Sequence, residues 1–140
     1  IMSEQGKLQL RTVEGTGLRF EATFPTGQLV MDSGEGAVAP NPVQALLASL
    51  AACEGMDVIS LLRKKRQQVT AYEVLMLGER ATDHPRRLTR VELVHHVTGH
   101  GVQENAVADS LRLSAEKYCS VYHSIRPDIE ISSRFEIHEG

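Results

Sequence analysis

From Pro42 to Arg66 the chain carries no further proline, and its first half sets Leu46, Leu47 and Leu50 on most sides of a helix. Small residues, Ala48, Ser49, Ala51, Ala52 and Gly55, fill the spaces between them. Asn41 suits an N-cap and Pro42 the first helical position, so the start of this helix is sharply marked. At 1.5 Å per residue it would run about 37 Å, longer than a small domain is wide. A helix that is apolar all round must be covered all round. A chain of 140 residues makes one domain with little to spare for wrapping such a helix. A homodimer enclosing it from both subunits is the expected solution.

The flanking segments define an α+β chain. Residues 7–32 alternate in short bursts, including 8–13 and 18–24, broken at Gly15, Gly17, Pro25 and Gly27, which reads as three antiparallel strands joined by tight turns. Gly15-Thr16-Gly17 is a strand turn, too short and too early for a phosphate loop. Residues 72–77 and 89–98 read as two further strands separated by a polar turn. In the second, Val91, Leu93, His95 and Val97 share one face, with Glu92, Val94, His96 and Thr98 on the other. A helical region spans 103 to about 124, with a break at Ser114 as a potential N-cap, and Pro127 ends it. Residues 129–137 alternate again as a last strand. Ile1 stands ahead of Met2 and is left out, so a single domain over residues 2–140 is expected.

Charge narrows the partners. A net charge of −3, with the basic residues scattered apart from Arg63-Lys64-Lys65-Arg66, does not point to nucleic acid. That run falls where the helix should end, and its cations complement the helix dipole there. The N-terminal residues show no basic flank, apolar core or cleavage site, and the apolar stretch 43–52 is too short to span a bilayer. A cytoplasmic protein, not one of the membrane, is expected.

In that reducing compartment two cysteines, Cys53 and Cys119, are more often catalytic, redox-sensing or merely buried than bridged. A peroxide-reactive cysteine has to be a thiolate near neutral pH. An unperturbed thiol is only about 3% ionised at pH 7, and lowering its pKa to ~6 takes about 3.4 kcal/mol of differential stabilisation. A helix N-terminus supplies about 0.3–1 kcal/mol and only within its first turn, whereas Cys53 lies three turns in. A cation from another element must therefore activate it. Cys119 would sit near the start of a new turn if the helix breaks at Ser114, with Lys117 and His123 close in sequence, which would favour its thiolate modestly. Local physics does not decide which thiol attacks and which resolves, and two inert buried cysteines are the plain alternative.

The run Asn-Pro-x-Gln-x-Leu-x-Ala-x-x-Ala-Ala-Cys from Asn41 to Cys53, with Glu116-Lys117-Tyr118-Cys119-Ser120-Val121, resembles the OsmC/Ohr family of small cytoplasmic redox proteins. The order of elements matches over nearly the whole chain, and the second cysteine follows the first by 66 residues. Asp57-Val58-Ile59-Ser60 and the segment around Cys119 resemble the uncharacterised OsmC-like subgroup more than the organic hydroperoxide resistance branch. The resemblance implies an OsmC-like fold, with antiparallel sheets around a long central cysteine-bearing helix, in an intertwined homodimer with two interface sites. It implies that Cys53 attacks an organic hydroperoxide and becomes a sulfenic acid. Cys119 then condenses with it, and a dithiol of the lipoyl type resets the disulfide. No cofactor or metal is implied.

One position departs from that pattern. The peroxidase branch carries a glutamate after Asn-Pro that holds an arginine against the reactive sulfur, and here Val43 stands in its place. Arg11 and Arg19, on the early strands, are both candidates for the arginine. Glu54 follows Cys53 directly and projects about 100° away around the helix. Peroxidase activity is therefore expected to be weaker, altered or absent. The competing expectation is a non-catalytic dimer that binds a small hydrophobic molecule in its interface pocket. His95 and His96, adjacent on a strand, point to opposite faces and cannot share one ion without a bulge. With His100 they read as ordinary, partly exposed histidines. Tyr118 and Tyr122 are expected to wall a cavity beside Cys119.

Overall fold

The computed structural model describes residues 1–11 and 15–140. They form two compact units, Ile1–Leu46 and Leu47–Gly140. The first holds β1 (Lys7–Leu10), β2 (Phe20–Phe24) and β3 (Gly27–Met31) in an antiparallel sheet of order β1-β2-β3. The expected first strand, 8–13, is found in its opening part, and Thr12 and Val13 lie outside the described residues. Past β3, the Asp32 carboxylate ties up the loop. It accepts hydrogen bonds from the Ser33 and Val38 amides at 2.8 and 3.1 Å and from the Thr16 hydroxyl.

The long helix α1 (Pro42–Lys64) begins where the sequence marks it. Asn41 Oδ1 accepts from the Gln44 amide at 2.8 Å, and Gln44 Oε1 accepts from the Asn41 amide at 2.9 Å. The Asn-Pro-x-Gln motif is thus a reciprocal capping box with proline at the first helical position. At the other end Arg66 takes a left-handed φ of 57°, the Gln67 amide reaches back to the Leu62 carbonyl and the Arg66 amide to that of Arg63. This is the Schellman closure of a helix, with arginine where glycine is usual. Lys65 Nζ meets Asp109 at 2.7 Å.

The second unit packs α1 from Leu47 onward with β4 (Gln68–Arg80), β5 (Leu88–His100), α2 (Glu104–Leu113), a π-helical turn (Ser114–Tyr118), α3 (Ser120–Ser124) and β6 (Glu130–Glu139). The alternation of β5 is realised as read: Val91, Leu93, His95 and Val97 are all fully buried. Val58 and Leu62 of α1 join Val97, Ala106, Val107 and Leu111 in one core cluster, each valine and leucine contributing about 1.5–3 kcal/mol through burial of its side chain.

In one pairing the sheets differ from the antiparallel expectation. β4 and β5 are antiparallel, but β6 lies parallel to β5, from Arg90 opposite Glu130 to Gly99 opposite Glu139. Parallel neighbours need a crossover of a dozen or more residues, usually helical, and α2 to α3 supply it.

The buried residues of α1 are Leu50, Ala51, Glu54, Val58 and Leu62, a single stripe. Other apolar positions are left open, Leu46 at 40% and Met56 at 66% exposure. Although 43–52 is too short to span a bilayer, the full helix of 23 residues is long and apolar enough to do so by length and composition. Its buried stripe, however, carries a carboxylate and packs on the protein's own strands and helix.

Candidate functional site

Cys53 and Asp57 stand four residues apart on α1, one turn above the other on the same face. Facing them is the segment in which the helix after β5 changes pitch. Ser114 opens the π-helical turn, and its buried hydroxyl donates to Asp57 Oδ2 at 2.9 Å. Its carbonyl accepts the Cys119 amide at 2.8 Å, the bond that closes the wide turn. Ser114 therefore fixes the carboxylate with its side chain and the second cysteine with its backbone. The result is a cluster in which Cys53 Sγ, an Asp57 carboxylate oxygen and Cys119 Sγ all lie within 4.8 Å of one another. Both cysteines are free thiols, Cys53 half-buried and Cys119 buried.

The break in the helix is real, but Ser114 is not its N-cap. It keeps helical dihedrals, and Cys119, extended at φ −73° and ψ 101°, caps α3 instead. Its sulfur accepts from the Tyr122 amide at 3.4 Å. That bond favours the thiolate, as the position suggested, yet the net effect is the reverse. Burial raises the Cys119 thiol to about 12, with Cys53 and the Asp57 charge pushing the same way. Among the described residues no cation is found acting on it. Lys117 lies over the Tyr118 ring at 5.2 Å, and His123 packs edge-on against Tyr122. Tyr118 is 47% exposed, so Tyr122, through its amide, is the tyrosine that attends the thiol.

Glu54, the next residue after Cys53, turns the other way, into the core. Its Oε1 lies 2.9 Å from His95 Nε2, and His95 Nδ1 lies 2.6 Å from the Tyr72 hydroxyl. Burial, then the Glu54 charge, raise the Tyr72 phenol, so it stays protonated and donates to Nδ1. The ring proton is left on Nε2, pointing at Glu54. His95 is thus fully buried in a Tyr-His-Glu relay, a correction to its reading as a partly exposed histidine. A histidine within an otherwise apolar strand face was the available signal. Glu54 Oε2 is buried with no hydrogen-bond partner among the described residues.

The two arginines named from the sequence fare differently in the first unit. Arg11 is committed to Glu21, with bonds of 3.0 and 3.2 Å. Arg19 has a buried Nε with no hydrogen-bond partner among the described residues, and its charge helps hold the Glu21 and Asp32 carboxyls below their ordinary values.

A half-buried thiol on a long helix, a buried thiol across from it, two three-stranded sheets and the capping-box motif together define an OsmC-like protein. The family model described as OsmC-like protein matches residues 33–134, and the chain belongs to that family. It is 37% identical over 131 residues to Protein YhfA of Escherichia coli K12, covering 93% of this chain and 98% of that protein. A hypothetical protein from Aquifex aeolicus VF5 superposes with TM-score 0.87 at 27% identity, over 100% of this chain and 99% of its own. An organic hydroperoxide resistance protein from Elizabethkingia anophelis shares the fold with TM-score 0.67 at 13% identity, covering 99% and 98% of the two chains. The chain is an OsmC-like protein outside the organic hydroperoxide resistance branch.

Proposed function

We propose that this protein is a thiol-dependent reductant of organic hydroperoxides working through Cys53 and Cys119. The observation that carries the reading is the convergence of the two sulfurs and the Asp57 carboxylate within 4.8 Å. Cys53, the more open of the two, is the attacking thiol, and Cys119, held protonated by burial, is the resolving one. The Cys53 thiolate attacks the distal peroxide oxygen, the O–O bond breaks, and the alcohol leaves after taking up a proton. The Cys119 sulfur then attacks the Cys53 sulfenic acid, an S–S bond forms and water departs. Cys119 must lose its proton in that step, and Asp57 is the carboxylate placed to accept it. A dithiol of the lipoyl type would return both thiols. The family membership supports a peroxide-related redox role, and Val43 in place of a glutamate sets the expectation of a slower first step.

A second reading draws on a groove of about 390 Å³ on the open side of α1, lined by Ala48, Ala52, Met56, Ile59, Tyr72 and Met76. It suits a small hydrophobic molecule, and with exposed Leu46 and Met56 it also suits burial in a homodimer. Both readings place the protein in the cytoplasm, without a nucleic-acid partner.

The deciding experiment is a thiol count after one equivalent of cumene hydroperoxide, with disulfide mapping by mass spectrometry. Rapid loss of two thiols to a Cys53–Cys119 bridge, abolished at least a hundredfold by Cys53→Ser, supports the redox cycle. Two unreacted thiols sink it and leave the ligand-binding dimer.

A further inference from the structure

The face of β5 turned away from the Tyr-His-Glu relay carries a second cluster of histidine and carboxylate groups. His96 lies beside β6, directly opposite Glu136, and Thr98 opposite His138. The three side chains converge: His96 Nδ1 is 2.9 Å from His138 Nε2 and 3.3 Å from Glu136 Oε2. The two imidazole rings are stacked at 11°. His96 Nδ1 carries at most one proton and has two groups within reach of it. Ligand bonds of about 2.0–2.1 Å place two donors about 2.9 Å apart at a right angle and about 3.4 Å apart at the tetrahedral angle, the range spanned by these contacts.

The carboxylate is also held from behind. Arg134 Nη1 lies 3.6 Å from Glu136 Oε1, leaving Oε2 toward His96, and Arg134 is in turn faced by Glu92 at 3.7 Å. Such backing of a ligating carboxylate is what orients it toward a metal. We propose that His96, Glu136 and His138 form a site for a borderline divalent transition-metal ion of the Zn²⁺ type. Two imidazoles and one carboxylate select such an ion over Mg²⁺ or Ca²⁺, which take oxygen ligands. Glu136 is 48% exposed on its side chain, so a fourth position is open to water. The site stands apart from the thiols and does not depend on their chemistry.

The test is calorimetric titration of Zn²⁺ into the chelator-treated, untagged full chain carrying Cys53→Ser and Cys119→Ser, which removes thiolate binding. One equivalent per chain is expected, weakened at least tenfold by His96→Ala and by His138→Ala and less by Glu136→Gln. In histidine ring spectra, the signals of two of the six histidines should shift on saturation. These side chains lie outside the core, so the variants should keep the far-ultraviolet spectrum of the parent. Absence of saturable binding, or binding that persists in both alanine variants, overturns the proposal.

Discussion

Cys53 and Glu54 are neighbours in sequence and occupy opposite worlds. Cys53 belongs to a cluster that is half open, where no covalent bond yet joins the sulfurs and the single carboxylate is held by one serine hydroxyl. Glu54 belongs to a relay whose histidine and carboxylate are fully buried, with half-buried Tyr72, His95 and one carboxylate oxygen hydrogen-bonded in line. The contrast separates two uses of the same side-chain chemistry. In the open cluster, groups must move by angstroms to react. In the sealed one, groups are satisfied only if they stay put, because an unpaired buried charge costs several kcal/mol.

The comparison breaks most dramatically if Glu54 can be removed without harm. Glu54→Ala strands His95 and Tyr72 in the core and should destabilise the fold by about 3–5 kcal/mol in urea denaturation, the range for breaking a buried pair. Asp57→Asn, on the open side, keeps an oxygen that can accept from Ser114 and exchanges a charged bond for a neutral one, so it should change stability by about 1–2 kcal/mol. Equal losses from the two variants would erase the distinction.

A smaller effect sharpens it. Asp57→Asn removes a negative charge that raises the Cys119 thiol, so the pH at which Cys119 becomes reactive toward iodoacetamide should fall from about 12. The same variant should close the Cys53–Cys119 disulfide about tenfold more slowly, since the proton acceptor is gone. The raised thiol has a sign in stability too. A group that holds its proton more tightly when folded stabilises the fold below its unfolded pKa of ~8.5. That contribution should drain away as pH rises from there toward about 12, and Cys119→Ser should flatten the decline. Smallest is the cap: Asn41→Ala should cost about 1 kcal/mol in thermal or urea unfolding and leave both clusters intact.

Much of this was legible in one dimension. Asn41, Pro42 and Gln44 announce the helix because capping chemistry is local, and the period of two in β5 separates His95 from His96. The two cysteines stood out by motif. What stayed hidden was whatever depends on how distant segments meet. Asp57 and Ser114 are 57 residues apart and carry no joint signal. Ser114 has the chemistry of an N-cap, and nothing in its neighbours reveals that its hydroxyl is spent on another helix. The π-helical turn leaves no composition of its own. The parallel placement of β6 follows from the path of the crossover rather than from the alternation of the strand, which is the same for either direction.

The buried Glu54–His95 pair also does something for the open site that neither shows alone. A cylinder lying on a sheet can roll, and a thiol at its rim, about 5–6 Å from the axis, travels about 2 Å for a roll of 20°. That is the full length of an S–S bond. Glu54, seated on His95 about 100° around the rim from Cys53, works as a key in a keyway: it indexes the angle of the helix, so that the sulfur arrives at the same bearing in every copy.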